Sequence, residues 1–380
     1  DRTTTTAYPA VTLRSVGSNG GSACAFTFDL AKSIVWTHQG NPAWQIDHVN
    51  PLQSYGTALD LFYPDWVDFN RITIPQADEQ QRFLANLILY TNAPKRPLPR
   101  FWYLPKGKKA AIILTGDDHW GISSPGGTSK IFFDRHLQQS TPGCSADDWE
   151  CIRSSSYGFD GCLMTDQEAA AYTAQGFEFG LHADAGLASN QGWCGNWASN
   201  MPEQYNGQLE PLMLKYASIP VQSSERSHCY SWFGYTGAPG WQGYAGTPEV
   251  EANLGLRLDT NISYNPLSWG MVNPGYQMGS GMMMRFAQVD NSGVMTKFLD
   301  IYNGGTQMTD DNDQGAAIMR SIVDSFLDNA TGTQGFYGGF VVNMHSDNWY
   351  GWSYDGSDQV VASAQAHDIP VVSGTQMSDW

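Results

Sequence analysis

The sequence predicts an α/β protein: a distorted (β/α) barrel of about seven parallel strands, preceded by a small α/β segment. Three observations predict it. Short apolar runs of strand length alternate with amphipathic helical stretches over most of the chain. The exits of those runs are rich in His, Asp and Arg, and in folds built on parallel strands that end is where chemistry is placed. The stretch Asn92-Ala-Pro94-Lys-Arg-Pro97-Leu-Pro99-Arg100 reads as a stiff extended linker. It divides an accessory segment, residues 1–95, from a main domain, residues 96–380.

Taken in order, residues 23–28 read as a strand. A helix opens at Ile74-Pro75, with proline and acids in its first turn. Phe83, Leu84, Leu87 and Ile88 give it an apolar stripe at helical spacing. This segment carries His38 and His48 but no convergent chemistry, and reads as a structural or docking unit. Beyond the linker, strands are expected at 110–115, 177–181, 219–222, 254–258, 282–286, 340–344 and 369–372. Thr165-Asp-Gln-Glu168 is a capping box that starts an Ala-rich helix ended by Gly176. A short helix follows Thr247, a candidate N-cap, with Pro248 at its first position. Ile318, Met319, Ile322, Val323, Phe326 and Leu327 mark a longer amphipathic helix.

Composition narrows the function classes. The 380 residues hold 20 basic and 37 acidic side chains, a net charge of −17, which argues against nucleic acid and anionic membranes as partners. The 14 Trp and 18 Tyr exceed what a core needs and suit surfaces that stack on sugar rings. No apolar run approaches the roughly 18 residues of a membrane span. No signal peptide is visible, so the chain is read as starting at a processed or chosen boundary. Six cysteines without a Cys-x-x-Cys pair argue for disulfides over structural zinc. Cys144 and Cys151 can close one loop, and Cys162, Cys194 and Cys229 can pair among themselves. Sequons at Asn261 and Asn329 fit the same picture, a secreted or cell-surface protein.

The chemistry begins at Lys109-Ala-Ala-Ile-Ile-Leu-Thr-Gly-Asp117-Asp118-His119-Trp120, a buried strand that delivers two acids and a histidine. Later strand exits supply His182 and Asp184, then Glu225-Arg226-Ser227-His228, then Asp259, then Arg285, then His345-Ser-Asp347. Four of the eight histidines follow a strand or its exit, and on one barrel they would converge. An Asp with imidazoles suits zinc or a similar borderline ion. Such an ion polarises a carbonyl, a free carboxylate acts as base, and a histidine protonates the leaving group. That is equipment for hydrolysing an amide or ester. No Gly-x-Ser-x-Gly elbow and no phosphate-binding glycine loop competes with it.

Leu114-Thr-Gly-Asp117-Asp118 resembles the Thr-Phe-Asp-Asp-Gly motif of NodB-type polysaccharide deacetylases, carbohydrate esterase family four, and their divergent exopolysaccharide deacetylase relatives. The resemblance spans roughly residues 105–380. It implies Asp117 as general base and Asp118 as a metal ligand. Glu178-Phe-Gly-Leu-His182 resembles the strand bearing the first metal histidine, which implies His182. Arg226 resembles the arginine that orients the base. Asn343-Met-His345 resembles the late motif whose histidine is the acid, with Asp259 as its acidic support. The sequence departs from the family at Gly116, His119 and Gly186, the last where a second metal histidine is expected. His228 is the first choice for that third ligand and Asp184 the second.

The expected function is therefore a metal-dependent hydrolase, with one divalent ion, zinc by preference, that removes N- or O-acetyl groups from an extracellular polysaccharide built of amino sugars. Its partner is the acetylated polymer, with no nucleic acid and no membrane span. Two rivals stand beside it. One is a metal-independent glycoside hydrolase pairing Asp117 with Asp259 or Asp347. The other is a catalytically inactive carbohydrate-binding protein using the aromatic surface.

Overall fold

The computed structural model describes residues 7–40, 57–62, 70–93, 97–98, 103–119, 128–159, 161–186, 194–195, 197, 200–232, 245–263, 275–289, 294–312, 315–347 and 352–380. His48, Trp120 and residues 94–96 and 99–100 of the proline-rich stretch lie outside them. The elements run β1 (Val11–Val16), β2 (Gly21–Phe26), α1 (Leu30–Gln39), α2 (Gln76–Thr91), β3 (Ala110–Asp118), α3 (Thr128–Gln139), β4 (Ser155–Gly158), α4 (Asp166–Thr173) and β5 (Glu178–Leu181). They continue α5 (Met201–Lys215), β6 (Ser224–Glu225), α6 (Gly246–Asn253), β7 (Leu258–Asp259), β8 (Met284–Val289), β9 (Met295–Asn303) and β10 (Thr306–Thr309). The chain closes with α7 (Gly315–Thr331), β11 (Gly338–His345), α8 (Trp352–Ala366), β12 (Val371–Val372) and α9 (Gly374–Asp379).

The apolar run at 110 becomes the central strand, β3, with all nine residues buried. It is flanked by β11 and β4 in the parallel order β10-β11-β3-β4-β5, and β12 also pairs with β3. A second sheet has the order β6-β7-β9-β8, in which only the β8–β9 pair is antiparallel. The two sheets meet at two seams without a continuous ladder. At one, Ser263 bridges Thr306. At the other, the Gln222 amide replaces a strand: its Oε1 accepts from Leu181 N at 2.6 Å and its Nε2 donates to Leu181 O at 2.8 Å. Residue 180 must be glycine there, because a Cβ would stand 2.3 Å from Gln222 Cδ. The result is a mixed α/β layout with a parallel sheet, and no ladder closes it into a barrel among the described residues.

Several local expectations change. Residues 219–222 form no strand, since Gln222 works through its side chain, and the strand begins at Ser224. The strand expected at 254–258 starts only at Leu258, because α6 runs to Asn253 and Gly255 follows at φ 94°. Thr247 is buried inside α6, whose N-cap is Ala245. Strands β4 and β10 are polar in sequence, so hydrophobic periodicity passes over them. Their side chains are paired inward, as with Ser155 Oγ to Glu178 Oε2 at 2.6 Å and Thr306 Oγ1 to Thr260 O at 2.8 Å. The Thr165 capping box forms with both of its bonds, and Gly176 follows its helix at φ 94°. The Asn261 sequon is fully buried, with Asn261 Oδ1 accepting from Ser227 N at 2.7 Å, so it has no room for a glycan.

The N-terminal elements dock on the 280–289 region. The Gln39 amide exchanges two hydrogen bonds with the Ala287 backbone, at 2.8 and 3.0 Å. His38 Nε2 reaches Met282 O at 3.0 Å, and burial lowers the pKa of this ring. At the start of α2, Asp78 accepts from Ser280 Oγ at 2.6 Å and Gly281 N at 2.9 Å. Disulfides join Cys144 to Cys151 and Cys194 to Cys229, leaving Cys24 and Cys162 as thiols.

Candidate metal centre and active site

A strand alternates faces with period two. Because β3 stays extended through the acidic pair, Asp117 and Asp118 point to opposite sides, and His119 returns to the face of Asp117. This is where the expected ligand set and the structure part. Asp118 Oδ2 accepts from Ser129 N at 3.0 Å and Ser129 Oγ at 2.6 Å, at the start of α3. A carboxylate there suits the positive end of a helix, and Asp118 is not among the residues whose donor atoms gather with the histidines. Gly116 is closely packed: a Cβ would stand 3.1 Å from the Phe132 ring and 3.2 Å from Met344 O, so any side chain there would need these neighbours to give by a few tenths of an ångström.

His119, His182 and His228 come together, with ligand nitrogens all within 4.8 Å of one another and all three rings buried. Each ring is oriented from behind. His119 Nδ1 lies 3.0 Å from Asp347 Oδ2, His182 Nδ1 lies 2.8 Å from Arg226 O, and His228 Nδ1 lies 3.0 Å from Asp184 Oδ2. A carbonyl or carboxylate oxygen only accepts, so each Nδ1 carries a proton and the neutral tautomer gives Nε2 a lone pair that could ligate an ion. Asp184, the second choice as third ligand, thus orients His228. Burial, the largest influence, lowers the His182 pKa well below the usual imidazole range.

The two Nε2 atoms of His119 and His182 are 3.2 Å apart. With both Nδ1 atoms donating, the facing Nε2 atoms are arranged to share a proton or a cation, and the third converging imidazole favours the cation. Two nitrogens on one tetrahedral zinc, at about 2.0–2.1 Å each, would be roughly 3.3 Å apart. The donor set therefore fits a borderline divalent ion.

Beside this cluster, Asp117 is clamped by Arg226, which is wholly buried. Arg226 Nη2 donates to Asp117 Oδ1 at 2.6 Å and Nε donates to both carboxylate oxygens at 3.1 Å. Thr115 Oγ1 accepts from Arg226 Nη1 at 2.9 Å and fixes the fork. Burial alone would raise the Asp117 pKa, but the Arg226 guanidinium holds it well below the usual carboxylate range. Asn343 completes the clamp, its Nδ2 donating to Asp117 Oδ2 at 3.1 Å.

His345 closes the other side, its ring centroid 5.1 Å from that of His119. Its acidic support is Asp310 and not Asp259. Asp310 Oδ1 lies 2.7 Å from His345 Nδ1, and Asp310 Oδ2 accepts from His345 N at 2.6 Å. Burial disfavours charge on this ring, but Asp310, Asp311 and Asp117 outweigh it and raise the pKa well above the usual value. Asp259 instead belongs to a buried acid group with Glu225 and Glu251, organised by Asn261. Asn261 N donates to Asp259 Oδ1 at 2.6 Å, and Asn261 Nδ2 reaches Glu225 at 2.8 Å and Glu251 at 3.1 Å. Burial, with the charge of Glu225, pushes the Asp259 pKa up to about 8. This carboxyl is held in its own acid group, and the His345 ring is held by Asp310 in its place.

Asp117, Arg226, His182, His228 and His345 are thus brought to one place, while Asp118 and Asp259 are not. His119 as a ring of the cluster, Asp310, Thr115 and Asn343 were not assigned roles from sequence, and Asp347, offered there only as a partner carboxylate for Asp117, instead orients His119. Period-two alternation from Asp117 to His119, and from Asn343 to His345, was the available signal.

No protein-family model matches the sequence, and no curated protein matches it. Solved structures similar to this chain include polysaccharide deacetylases. One, from Bacillus cereus, is 14% identical over 69% of this chain and 91% of its own, with a TM-score of 0.35. The catalytic domain of a peptidoglycan N-acetylglucosamine deacetylase from Eubacterium rectale is 13% identical over 74% and 93%, with a TM-score of 0.36. An allantoinase, Puue, is 9% identical over 74% and 93%, with a TM-score of 0.44. Each likeness is distant.

Proposed function

We propose that this protein is a metal-dependent deacetylase that removes N- or O-acetyl groups from an acetylated extracellular polysaccharide, an amino-sugar polymer by preference. The observation that carries the reading is the convergence of His119, His182 and His228, each fixed through Nδ1, between an Arg-clamped carboxylate and a carboxylate-held imidazole. His119, His182 and His228 would hold one divalent ion, zinc by preference. Such an ion supplies Lewis acidity to an acyl carbonyl. Asp117, kept ionised and oriented by Arg226 and Asn343, accepts the proton of the attacking water. His345, kept charged by Asp310 and Asp311, donates a proton to the departing amine or alcohol. The buried walls around Asp117 keep bulk water from competing.

A metal-independent glycoside hydrolase fits less well. It needs two carboxyl groups facing across a gap of about 5–9.5 Å. Asp259 is wholly buried among acids, and Asp347 is committed to His119. Two disulfides suit an oxidising compartment, and no helix among the described residues is long and apolar enough to cross a membrane.

The test is acetate release from acetylated amino-sugar polymers by protein as purified, after chelation, and after zinc is restored. Activity that stops on chelation and returns with zinc is expected. New reducing ends formed independently of metal, without acetate, would overturn the proposal in favour of glycoside hydrolysis.

A further inference from the structure

The residue after His228 in the turn, Cys229, and its neighbour Tyr230 both have left-handed backbones, at φ 58° and 54°. Neither is glycine, and consecutive residues of this kind persist only where the surroundings hold them. Here the Cys194–Cys229 disulfide and the Tyr230 hydroxyl do so. The turn swings Tyr230 out of the path of β6 and over the Arg226 guanidinium, 5.9 Å from the ring centroid.

The hydroxyl lands between the two halves of the site. Asn343 Oδ1 accepts from Arg226 Nη2 at 2.7 Å, and a guanidinium has only donors, so the amide orientation is fixed. Asn343 Nδ2 therefore donates, to Asp117 Oδ2 at 3.1 Å and to Tyr230 Oη at 2.9 Å. With its lone pair used, Tyr230 donates its proton to Asp311 Oδ2 at 3.1 Å. Thr309 Oγ1 holds that same carboxylate oxygen at 2.6 Å, and Asp311 Oδ1 lies 3.7 Å from His345 Nε2. From Arg226 the donations run one way, through Asn343 and Tyr230 to the Asp311 carboxylate beside His345, while Asn343 Nδ2 also donates to Asp117.

We propose that Tyr230 is a positioning residue that ties the base side of the reaction to the acid side, setting the Asp311 carboxylate against His345 and the Asn343 amide against Asp117. The proposal rests on the deacetylase reading. It assigns Tyr230 a task that begins after substrate is bound, so its loss is felt in turnover and not in substrate affinity.

The experiment compares wild type, Tyr230→Phe, Asp311→Asn and the double variant, all zinc-loaded, for acetate release, with bound zinc measured in each. Tyr230→Phe keeps the ring over Arg226 and removes only the hydroxyl. The expected result is a kcat lower by about tenfold or more, the loss of one hydrogen bond to a charged group, with KM within about twofold and zinc content unchanged. The double variant is expected to be no slower than the slower single variant, because both changes cut one link. A Tyr230→Phe kcat within about twofold of wild type, a loss confined to KM or to zinc content, or losses that multiply in the double variant would each overturn the proposal while leaving the deacetylase reading intact. A wild type that releases no acetate would overturn both. Should Tyr230→Phe fail to fold, an Asp311→Asn kcat within about twofold of wild type would overturn the proposal, because the link from Tyr230 ends at that carboxylate.

Discussion

Exchanging His119 and Asp118 in turn separates the ligand set implied by family resemblance from the one the backbone dictates. His119→Ala removes one of three imidazoles that converge within 4.8 Å. Removing only an outer partner of a metal ligand costs about 10–100-fold in metal affinity, so losing the ligand itself is expected to weaken zinc by more than about 100-fold. Asp118→Asn should behave differently. Its carboxylate accepts two bonds from Ser129, at 3.0 and 2.6 Å, and the Asn carbonyl can keep accepting them. What is lost is a charge at the start of α3, about 0.5–2 kcal/mol of stability. Zinc affinity should stay within about tenfold of wild type. The assay is competitive zinc titration of chelated protein, alongside urea unfolding of the same samples. Loss of zinc binding in Asp118→Asn with retention in His119→Ala would refute the reasoning, because it would mean that both adjacent acids reach one centre despite strand alternation.

Three further outcomes are expected. Asp310→Asn removes the nearest carboxylate from His345, so the pKa of the ring should fall and the basic limb of the pH–rate profile should move to lower pH; an unmoved limb would exclude His345 as the acid. The same sign applies to stability, since a raised folded pKa stabilises at low pH and that contribution is lost as pH rises through it. Arg226→Met strands Asp117 as a buried charge without its partner, and should cost about 3–5 kcal/mol in urea unfolding as well as activity; an unchanged midpoint would show that the clamp is not holding a buried charge. Asp259, with a folded pKa of about 8 against 3.8 unfolded, binds its proton more tightly in the fold, so it makes stability fall as pH rises between those values, by up to about 1.4 kcal/mol per pH unit. Asp259→Asn should flatten that slope by up to one proton's worth, measured as unfolding free energy from pH 5 to 8, and an unchanged slope would remove Asp259 from the account.

Sequence alone determined what depends on local pattern. The apolar run at Ala110–Leu114 reads as a buried strand, and β3 is the strand around which the parallel sheet is built. Thr165 and Glu168 are close in sequence, and their capping box needs nothing else to form. The chemistry-bearing residues were legible because they sit at the exits of such runs, among them Asp117, His182, Arg226, His228 and His345. Tertiary structure decided which of them meet. Asp118 and Asp259 each have the right residue type at a strand end, but Asp118 is taken up by Ser129 and Asp259 by Asn261, partners that the fold and not the local sequence supplies. The polar strands β4 and β10 stayed hidden because their burial is made possible by partners far along the chain, such as Glu178 for Ser155 and Thr260 for Thr306. The histidine tautomers, on which the metal reading turns, depend on Asp347, Asp184 and a backbone carbonyl of Arg226. Those acceptors are brought into place only when the chain folds, because hydrogen bonds act over a few ångströms and the sequence separations here run to more than two hundred residues.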